Sequence, residues 1–311
     1  MSLHLAYGAG VAWTTYEGIT LDTWYPAPAL GQAPEDEPWP AQEALETLCV
    51  DDPARRVFRM MAMTKIEVDE PPVDTQDVYL RLHLLSHRLV QVGQVNLEGI
   101  FRLLPNVVWT NAGPCAVDDF ERTRMQLELT GRGPVRVGAV DKIPPMADYV
   151  VPRGVRIADA ARVRLGAHLA PGTTVMHEGF INFNAGTLGA SMIEGRVSQG
   201  VVVEAGADIG GGASTMGTLS GGGTEHVRIG AGTLLGANSG VGISLGADCV
   251  VEAGLYLTAG AKVTMPDGAV VKASTLSGQS GWLFRRNSVS GAIEACPRKA
   301  ATELNSELHA N

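Results

Sequence analysis

The sequence predicts a mainly β protein built around a parallel β-helix, and two observations carry the prediction. The chain of 311 residues is rich in glycine, with 38, and poor in aromatic residues, at 5%. Of these glycines, 25 fall between residues 151 and 270, and the same segment has an apolar residue at every sixth position. Stacked aliphatic side chains, rather than aromatic rings, are therefore expected to fill its interior.

A period of six suits neither an α-helix nor an amphipathic strand, whose periods are about 3.6 and about 2 residues. It is typical of a coil of short strands, in which one aliphatic residue per hexad points inward and Gly, Asp or Asn turns each corner. The series shifts phase by four residues at two places and is interrupted by an insertion, SGGGTEHV, at 220–227. The predicted inward positions are Val151, Ile157, Val163, Leu169, Val175, Ile181, Thr187, Ile193, Val197, Val203, Ile209, Thr215, Ile229, Leu235, Val241, Leu245, Val251, Leu257 and Val263.

The flanking segments have a different character. We expect an α/β N-terminal domain over residues 1–150, the β-helix over 151–270 and a short C-terminal extension over 271–311. Within the first domain, DVYLRLHLLSHRLV at 77–90 predicts a packed helix, and Asp118 is the expected N-cap of another helix. The segment 134–141 predicts a strand that leads into the repeats.

Charge and composition limit the function classes. A formal net charge of −9 argues against a surface devoted to nucleic acid, and no apolar run is long enough to cross a membrane. The first residues lack the pattern of a secretory signal, so we expect a cytoplasmic protein. The four cysteines form no C-x-x-C pair and are expected to be reduced structural thiols.

A regular coil has no pocket of its own, so function is expected where the repeat is interrupted. Glu194 lies at the first phase step, in SMIEGRVSQG, beside Gly195 and Arg196. A carboxylate there could act as nucleophile or general base, with Arg196 keeping it ionised, or the two residues could form an ordinary salt bridge. The flat faces of a three-sided coil favour self-association, and a trimer is the natural expectation.

Histidines and tail cations are the other candidates. His83 and His87 are four apart on the predicted helix and are expected to be a packed or solvated pair rather than to bind metal. His168, His177 and His226 lie in the repeat region, where acyltransferases built on such repeats use a histidine base. Lys272 and the run Arg285, Arg286, Asn287 and Ser288 suit a phosphate-bearing cofactor.

The chain resembles the tetrahydrodipicolinate N-succinyltransferases, specifically their longer-chain branch. The resemblance runs from about Thr75 to Ser290, reaches the terminal ELHAN and is weakest over residues 1–74. It rests on motifs outside the generic hexads, including NVVWTNAGPCAVDDFE, MHEGFINFNAGTLGASMIEGR, GGGASTMGTLSGGGT, VEAGLYLTAG and LFRRNSVSG. It implies a left-handed parallel β-helix, a homotrimer with active sites between subunits, and succinyl transfer from succinyl-CoA to a cyclic imine dicarboxylate in lysine biosynthesis.

The resemblance also implies roles for individual residues. Glu194 becomes the catalytic carboxylate, either as an acyl-anhydride nucleophile or as an aid to amine attack. Backbone amides of the Gly-rich turns become candidate oxyanion donors. The implied substrate- and CoA-binding residues are Arg196, Gly211, Ser214, Ala237, Glu252, Ala253, Gly260, Lys272, Arg285, Arg286, Asn287 and Ser288.

One departure concerns a metal. Members of this branch can hold a divalent cation at the trimer axis, and Glu178 matches one of the ligands. Ala161 stands where the family has a second, an aspartate, so Mg²⁺ or Ca²⁺ binding should be weakened unless Asp159 compensates.

Two alternatives remain. One is another CoA-dependent acyltransferase with a histidine base, acting on an amino acid or a sugar nucleotide. The other is a non-catalytic β-helix scaffold that binds a partner through the SGGGTEH insertion.

Overall fold

The computed structural model describes residues 4–218 and 225–298. The chain divides into two compact units, Met1–Val151 and Pro152–Asn311. Among the described residues, no helix is both long and apolar enough to cross a membrane.

The first unit is built on a five-stranded antiparallel sheet. Its central strand β1 pairs with β5 along eleven residues, from Leu5 opposite Glu67 to Thr15 opposite Val57. The sheet order is β2-β1-β5-β4, and β3 pairs with β1. One face packs Ala9, Val11 and Trp39 together with Leu45 of a short helix, α1. The elements are β1 (Leu5–Thr15), β2 (Thr20–Trp24), β3 (Ala29–Leu30), α1 (Gln42–Glu46), β4 (Asp51–Asp52) and β5 (Val57–Glu67).

The helix predicted at 77–90 is α2 (Thr75–Ser86), and it packs mainly against β2 and β5 of this sheet. It begins two residues earlier than expected because Asp74 is its N-cap and accepts a hydrogen bond from the Asp77 amide. It ends four residues earlier, since Arg88 has a left-handed backbone with φ of 62°.

The face of the sheet near Tyr25 requires glycine in β1. A Cβ added at Gly10 would lie 2.6 Å from Cδ1 of the Tyr25 ring, and one added at Gly8 would lie 2.9 Å from the same atom. Both positions must therefore stay free of a side chain for the Tyr25 ring to remain where it is.

A three-stranded sheet of order β7-β6-β8 completes the first unit. Two predictions are wrong here. Asp118 does not cap α4, because the helix begins after Asp119, which has a left-handed backbone and makes no side-chain cap. The strand expected at 134–141 begins at Val137 and pairs with β6 inside this unit instead of leading directly into the repeats. The elements are α3 (Ile100–Leu103), β6 (Val107–Thr110), β7 (Gly113–Ala116), α4 (Phe120–Leu129) and β8 (Val137–Asp141).

The second unit is a left-handed parallel β-helix with three faces, as predicted. Face A is β10-β13-β16-β19, face C is β12-β15-β18-β21-β23, and face B begins β9-β11-β14-β17-β20-β22. The strands are β9 (Arg156–Ile157), β10 (Ala167–Leu169), β11 (Thr174–Val175), β12 (Phe180–Ile181), β13 (Ala185–Thr187), β14 (Met192–Ile193), β15 (Arg196–Val197), β16 (Val202–Val203), β17 (Asp208–Ile209), β18 (Ser214–Thr215), β19 (Arg228–Ile229), β20 (Leu234–Leu235), β21 (Gly240–Val241), β22 (Val250–Val251) and β23 (Tyr256–Leu257).

The predicted inward column is confirmed from Val163 to Val263, where every listed residue is at most 2% exposed. The column has two polar members, and both are satisfied. The Thr187 hydroxyl lies 2.6 Å from that of Thr173 and accepts from the Ala170 amide, and the Thr215 hydroxyl donates to the Arg196 carbonyl at 3.0 Å. The prediction fails at the start of the series. Val151 is 82% exposed and belongs to the first unit, and Ile157 is only half-buried because it lies in the first strand of face B.

The expected C-terminal extension is not separate from the coil over its described part. Strand β26 adds to face B parallel to β22, with Val251 opposite Phe284, and Phe284 is fully buried. The remaining strands of this region pair in the same sheet. They are β24 (Lys262–Thr264), β25 (Val270–Lys272), β26 (Trp282–Arg286) and β27 (Ile293–Pro297).

Candidate active site

The corner between faces B and C, here called the B–C corner, collects most of the predicted site residues. It is built from the segments that join a face B strand to the next face C strand. The backbone N–H of Asn238 donates to the Gly211 carbonyl at 2.9 Å, and that of Gly254 donates to the Ala237 carbonyl at 2.9 Å. Successive corners therefore stack directly on one another. The segments are 176–179, 194–195, 210–213, 236–239 and 252–255.

Glu194 occupies a notch in this column. Its corner has two residues between strands, whereas the corners on either side, 176–179 and 210–213, have four. The backbone of the next corner lies close to Gly195, because a Cβ added at Gly195 would be 2.4 Å from the Ala213 carbonyl oxygen. The phase step seen in the sequence is thus a recess in the surface, with Glu194 half-buried inside it.

Two carboxylates meet at this notch. A Cβ placed on Gly211 would lie 3.6 Å from Oε2 of Glu194 and 3.7 Å from Oε2 of Glu178. The two oxygens are therefore separated by no more than the sum of these distances. Among the described residues, neither carboxylate has an ion-pair or hydrogen-bond partner. Both are available to a substrate, and glycine at position 211 keeps the space between them open.

Arg196 does not pair with Glu194 among the described residues, contrary to the expectation from the sequence. Its guanidinium donates to Ser214 Oγ, from Nε at 3.1 Å and from Nη2 at 2.6 Å. Gly195 separates the two residues, and Arg196 begins β15, where it lies opposite Ser214 of the next strand. Arg196 and Ser214 are therefore a pair on face C beside the notch, and the salt-bridge reading of Glu194 is wrong as well.

Backbone amides of the stacked corners are available as donors. Within the described ranges, the amides of Gly211, Ala237 and Ala253 donate no backbone hydrogen bond. Ala237 and Ala253 are exposed and carry side chains no larger than methyl. The corner therefore offers three polar N–H groups along a shallow, uncluttered strip.

The predicted basic tail is joined to this column through Glu252. The Glu252 carboxylate accepts from the Arg286 amide at 2.6 Å, and the Glu252 amide donates to the Phe284 carbonyl. The guanidinium of Arg286 donates to the Gly291 carbonyl at 3.0 Å and has no ion-pair partner among the described residues. Ser288 is exposed in the turn that follows.

Glu294 is a residue of this region that the sequence analysis missed. It accepts from the Arg285 guanidinium at 3.1 Å and from Asn287 Nδ2 at 2.7 Å. The Asn287 hydrogen bond and the Arg285 charge lower the pKa of the Glu294 carboxyl. Arg285 is thus already paired, whereas Arg286 has no ion-pair partner in the part of the chain that the structure describes. The turn sequence NSVSG between two short apolar runs was the available signal for this hairpin.

Gly260 and Lys272 are not brought to the corner by any contact between described residues. Gly260 precedes β24 and has open space around it, and Lys272 lies exposed at the end of β25, opposite Lys262. Their predicted role in binding CoA stays a prediction.

The histidines have separate positions. His83 is buried, its Nδ1 lies 2.7 Å from the Tyr79 carbonyl, and Nε2 accepts from the Tyr25 amide, while burial lowers the pKa of its ring to about 3. It is a neutral core residue, as the packed reading expected. His168 is buried in face A, and His226 lies near the Gly217 carbonyl. Of the histidines that the structure describes, His177 is the one in the B–C corner, next to Glu178.

The residues do not form a complete metal site. The described residues contain no cluster of three His, Cys, Asp or Glu side chains that could hold an ion. Asp159 does not replace the missing ligand, because its carboxylate accepts from the Ala161 amide at 3.0 Å and faces Arg162 at 4.0 Å. Glu178 is the one hard ligand of the expected set that remains free.

Two family models match parts of the chain. Residues 104–144 match a family model described as the middle region of tetrahydrodipicolinate N-succinyltransferase, and residues 226–259 match the hexapeptide repeat of succinyl-transferase.

Curated relatives cover most of the chain. A 2,3,4,5-tetrahydropyridine-2,6-dicarboxylate N-succinyltransferase from Pseudomonas aeruginosa is 58% identical over 257 residues, which are 81% of this chain and 74% of the relative. One from Pseudomonas putida is 57% identical over 277 residues, which are 87% of this chain and 78% of the relative.

A solved structure from Campylobacter jejuni, described as a 2,3,4,5-tetrahydropyridine-2-carboxylate N-succinyltransferase, has a similar fold. It superposes with a TM-score of 0.82 at 28% identity and covers 97% of this chain and 94% of its own. The curated relatives are more than half identical over about four fifths of the chain, two family models match it, and the fold is shared. We conclude that this chain belongs to the tetrahydrodipicolinate N-succinyltransferase family.

Proposed function

We propose that the chain transfers succinyl from succinyl-CoA to tetrahydrodipicolinate, giving N-succinyl-2-amino-6-oxopimelate and CoA in the succinylated diaminopimelate route to lysine. The activity is that of the relatives at 57–58% identity. The observation that supports it within this chain is the notch at the B–C corner, with Glu194 recessed between Glu178 and Gly211.

The reaction needs little more than these groups. Hydration of the cyclic imine gives a carbinolamine whose nitrogen attacks the thioester carbon. A C–N bond forms, the nitrogen loses its proton, the C–S bond breaks, the CoA sulfur takes a proton, and the ring opens to the ketone. Glu194, unpaired and half-buried, either accepts the proton or attacks the thioester first to form an anhydride.

Binding groups lie on either side of the notch. The free corner amides at Gly211 and Ala237 are positioned to donate to the thioester oxygen or to the pantetheine amides. The guanidinium of Arg286 has no carboxylate partner and suits the anionic end of CoA, whereas Arg285 is held by Glu294. Arg196, fixed by Ser214, is a cation for an acceptor carboxylate.

The active enzyme is proposed to be a homotrimer with active sites between subunits. Glu178, Ala237 and Ala253 are all exposed, so one coil offers an open strip rather than an enclosed pocket. A second subunit would close the strip and exclude water. Size-exclusion chromatography with light scattering tests the trimer directly.

No step of this mechanism uses a metal. With Ala161 in place of a carboxylate and Asp159 engaged locally, each subunit supplies only Glu178. A cytoplasmic location stays a prediction.

The test is a thiol-release assay with succinyl-CoA and acetyl-CoA against a panel of amines that includes tetrahydrodipicolinate. We expect CoA release that needs succinyl-CoA and tetrahydrodipicolinate together. Release with acetyl-CoA and a sugar-nucleotide amine instead, abolished by His177→Ala, would favour the histidine-base alternative. A chain with no affinity for CoA would favour the scaffold, whose proposed loop lies largely outside the described residues.

A further inference from the structure

A cavity in the first unit lies far along the chain from the residues assigned to succinyl transfer. Asp22 of β2 and Arg59 of β5 both line it, and in the sheet they lie on either side of Trp13 of β1, which is opposite both of them. Directly opposed residues point to the same face of a sheet. The cavity has a volume of about 390 Å³, and Trp24 and Trp109 line its walls.

Arg59 is a cation of this cavity whose guanidinium lies over the Trp13 ring, 5.1 Å from its centroid, and which carries no hydrogen-bonded anion among the described residues. Among the described residues it has no ion-pair partner, and its Nε is buried without a hydrogen bond. Its neighbour Arg55 is fully engaged, since it donates to Asp52 at 2.7 Å and to the Pro114 carbonyl at 3.0 Å. An unmet buried N–H is costly in a folded protein, so a ligand that accepts a hydrogen bond from Arg59 would be stabilised.

Two carboxylates also line the cavity. Asp22 is 4% exposed and accepts from the Tyr149 hydroxyl at 2.6 Å and from the Trp13 amide. Asp148 is exposed and has no ion-pair partner within the described ranges. A ligand in this cavity can therefore meet a guanidinium and a carboxylate that have no ion-pair partner among the described residues.

The walls between these charges are apolar. The indole N–H of Trp24 donates to the Tyr149 carbonyl at 3.2 Å, and that of Trp109 donates to the Asp141 carbonyl at 2.9 Å. With both N–H groups used, the rings present hydrocarbon surface to the cavity.

We propose that this cavity is a binding site for an α-amino acid, whose carboxylate pairs with Arg59, whose ammonium group lies toward Asp148, and whose side chain packs between Trp24 and Trp109. A zwitterion satisfies both free charges at once, which a simple anion or amine does not. The volume is that of a small-molecule pocket and accommodates one amino acid. The site requires neither CoA nor the B–C corner, so it stands independently of the proposed succinyl transfer.

The experiment is calorimetric titration of the full-length protein, without CoA, with each standard L-amino acid. The tightest binder is then compared with its decarboxylated amine and its deaminated acid. We expect saturable binding of at least one amino acid, and both analogues should bind at least about tenfold more weakly, since each loses one charge-assisted contact.

Three variants locate the site. Arg59→Gln and the exposed Asp148→Asn should each weaken binding about tenfold or more, whereas Arg122→Gln, on the exposed surface of α4, should leave the affinity unchanged. Circular dichroism checks that each variant is folded. If Arg59→Gln does not fold, Asp148→Asn still decides the test. The proposal is overturned if no amino acid binds, if Asp148→Asn and a folded Arg59→Gln bind normally, or if the deaminated acid binds as tightly as the amino acid.

Discussion

Replacing Gly211 with alanine separates stability from catalysis at the notch. The added methyl carbon would lie 3.6 Å from the Glu194 carboxylate and 3.7 Å from that of Glu178, which are ordinary contact distances. Gly211 has no left-handed backbone, so alanine fits without strain. A compatible Gly→Ala change usually stabilises a protein by about 0.4–1 kcal/mol through the unfolded chain. The variant should therefore unfold at the same temperature as the wild type or slightly above it.

Turnover should fall in the same variant. A group that exchanges a proton with Glu194 must come within about 2.6–3.2 Å of its oxygen, whereas a methyl group keeps other carbon atoms about 3.5–4.0 Å away. The methyl would therefore displace the reacting atoms by on the order of 1 Å, and a displacement of that size can cost about 100-fold in rate. We expect kcat for CoA release to fall by about that factor.

The control is Gly138→Ala in β8, where the added carbon would lie 3.7 Å from the Trp109 carbonyl and far along the chain from the corner. It should change neither property. The reasoning is refuted if Gly211→Ala keeps normal turnover at normal stability, because the space between the two carboxylates would then not be where the reaction occurs.

Three further predictions concern the core, the first unit and the metal. Leu235→Ala removes a fully buried side chain stacked between Ile209 and Val251 and should cost about 2–5 kcal/mol, so an unchanged melting temperature would contradict the inward column. Burial raises the pKa of Asp22 from 3.8 to about 6, so the native state binds more protons than the unfolded chain and stability falls as the pH rises from about 4 to 6. Two pKa units at about 1.4 kcal/mol each make this loss about 3 kcal/mol, and denaturant titrations should show it disappear in Asp22→Asn. Treatment with EDTA should leave both turnover and oligomeric state unchanged, because Ala161 replaces one of the two ligands that the resemblance implies and Asp159 is engaged by the Ala161 amide; loss of either on chelation would show that a metal is held after all.

The inward column was predictable because sterics allow only one side chain per hexad inside a narrow coil. The same reasoning failed for Val151, which has the period but belongs to the first unit. The break in the six-residue period also gave the position of the notch in the sequence, but not its shape. That Glu194 lies in a two-residue corner between four-residue corners follows only once the strands on either side are paired.

Ser214, the partner of Arg196, was not predicted because the sequence analysis considered only residues next to Arg196 in the chain. It did not consider the residue one coil further along, which lies beside Arg196 in the β-helix. One regular coil spans 18 residues, and Ser214 lies 18 residues after Arg196, so the repeat itself contained the signal. Glu294 and the Arg59 cavity had no comparable signal. They depend on the turn of a hairpin and on the pairing of β2 and β5 with β1, which the sequence alone does not specify.

The central claim is that Glu194 in the B–C corner carries the chemistry. It is tested most directly by Glu194→Gln, which keeps the shape of the side chain and removes its charge and basicity. CoA release from succinyl-CoA with tetrahydrodipicolinate should fall by about 100-fold or more, while the calorimetric affinity for CoA and the melting temperature stay at the wild-type values. Near-normal turnover by a folded Glu194→Gln enzyme would contradict the account.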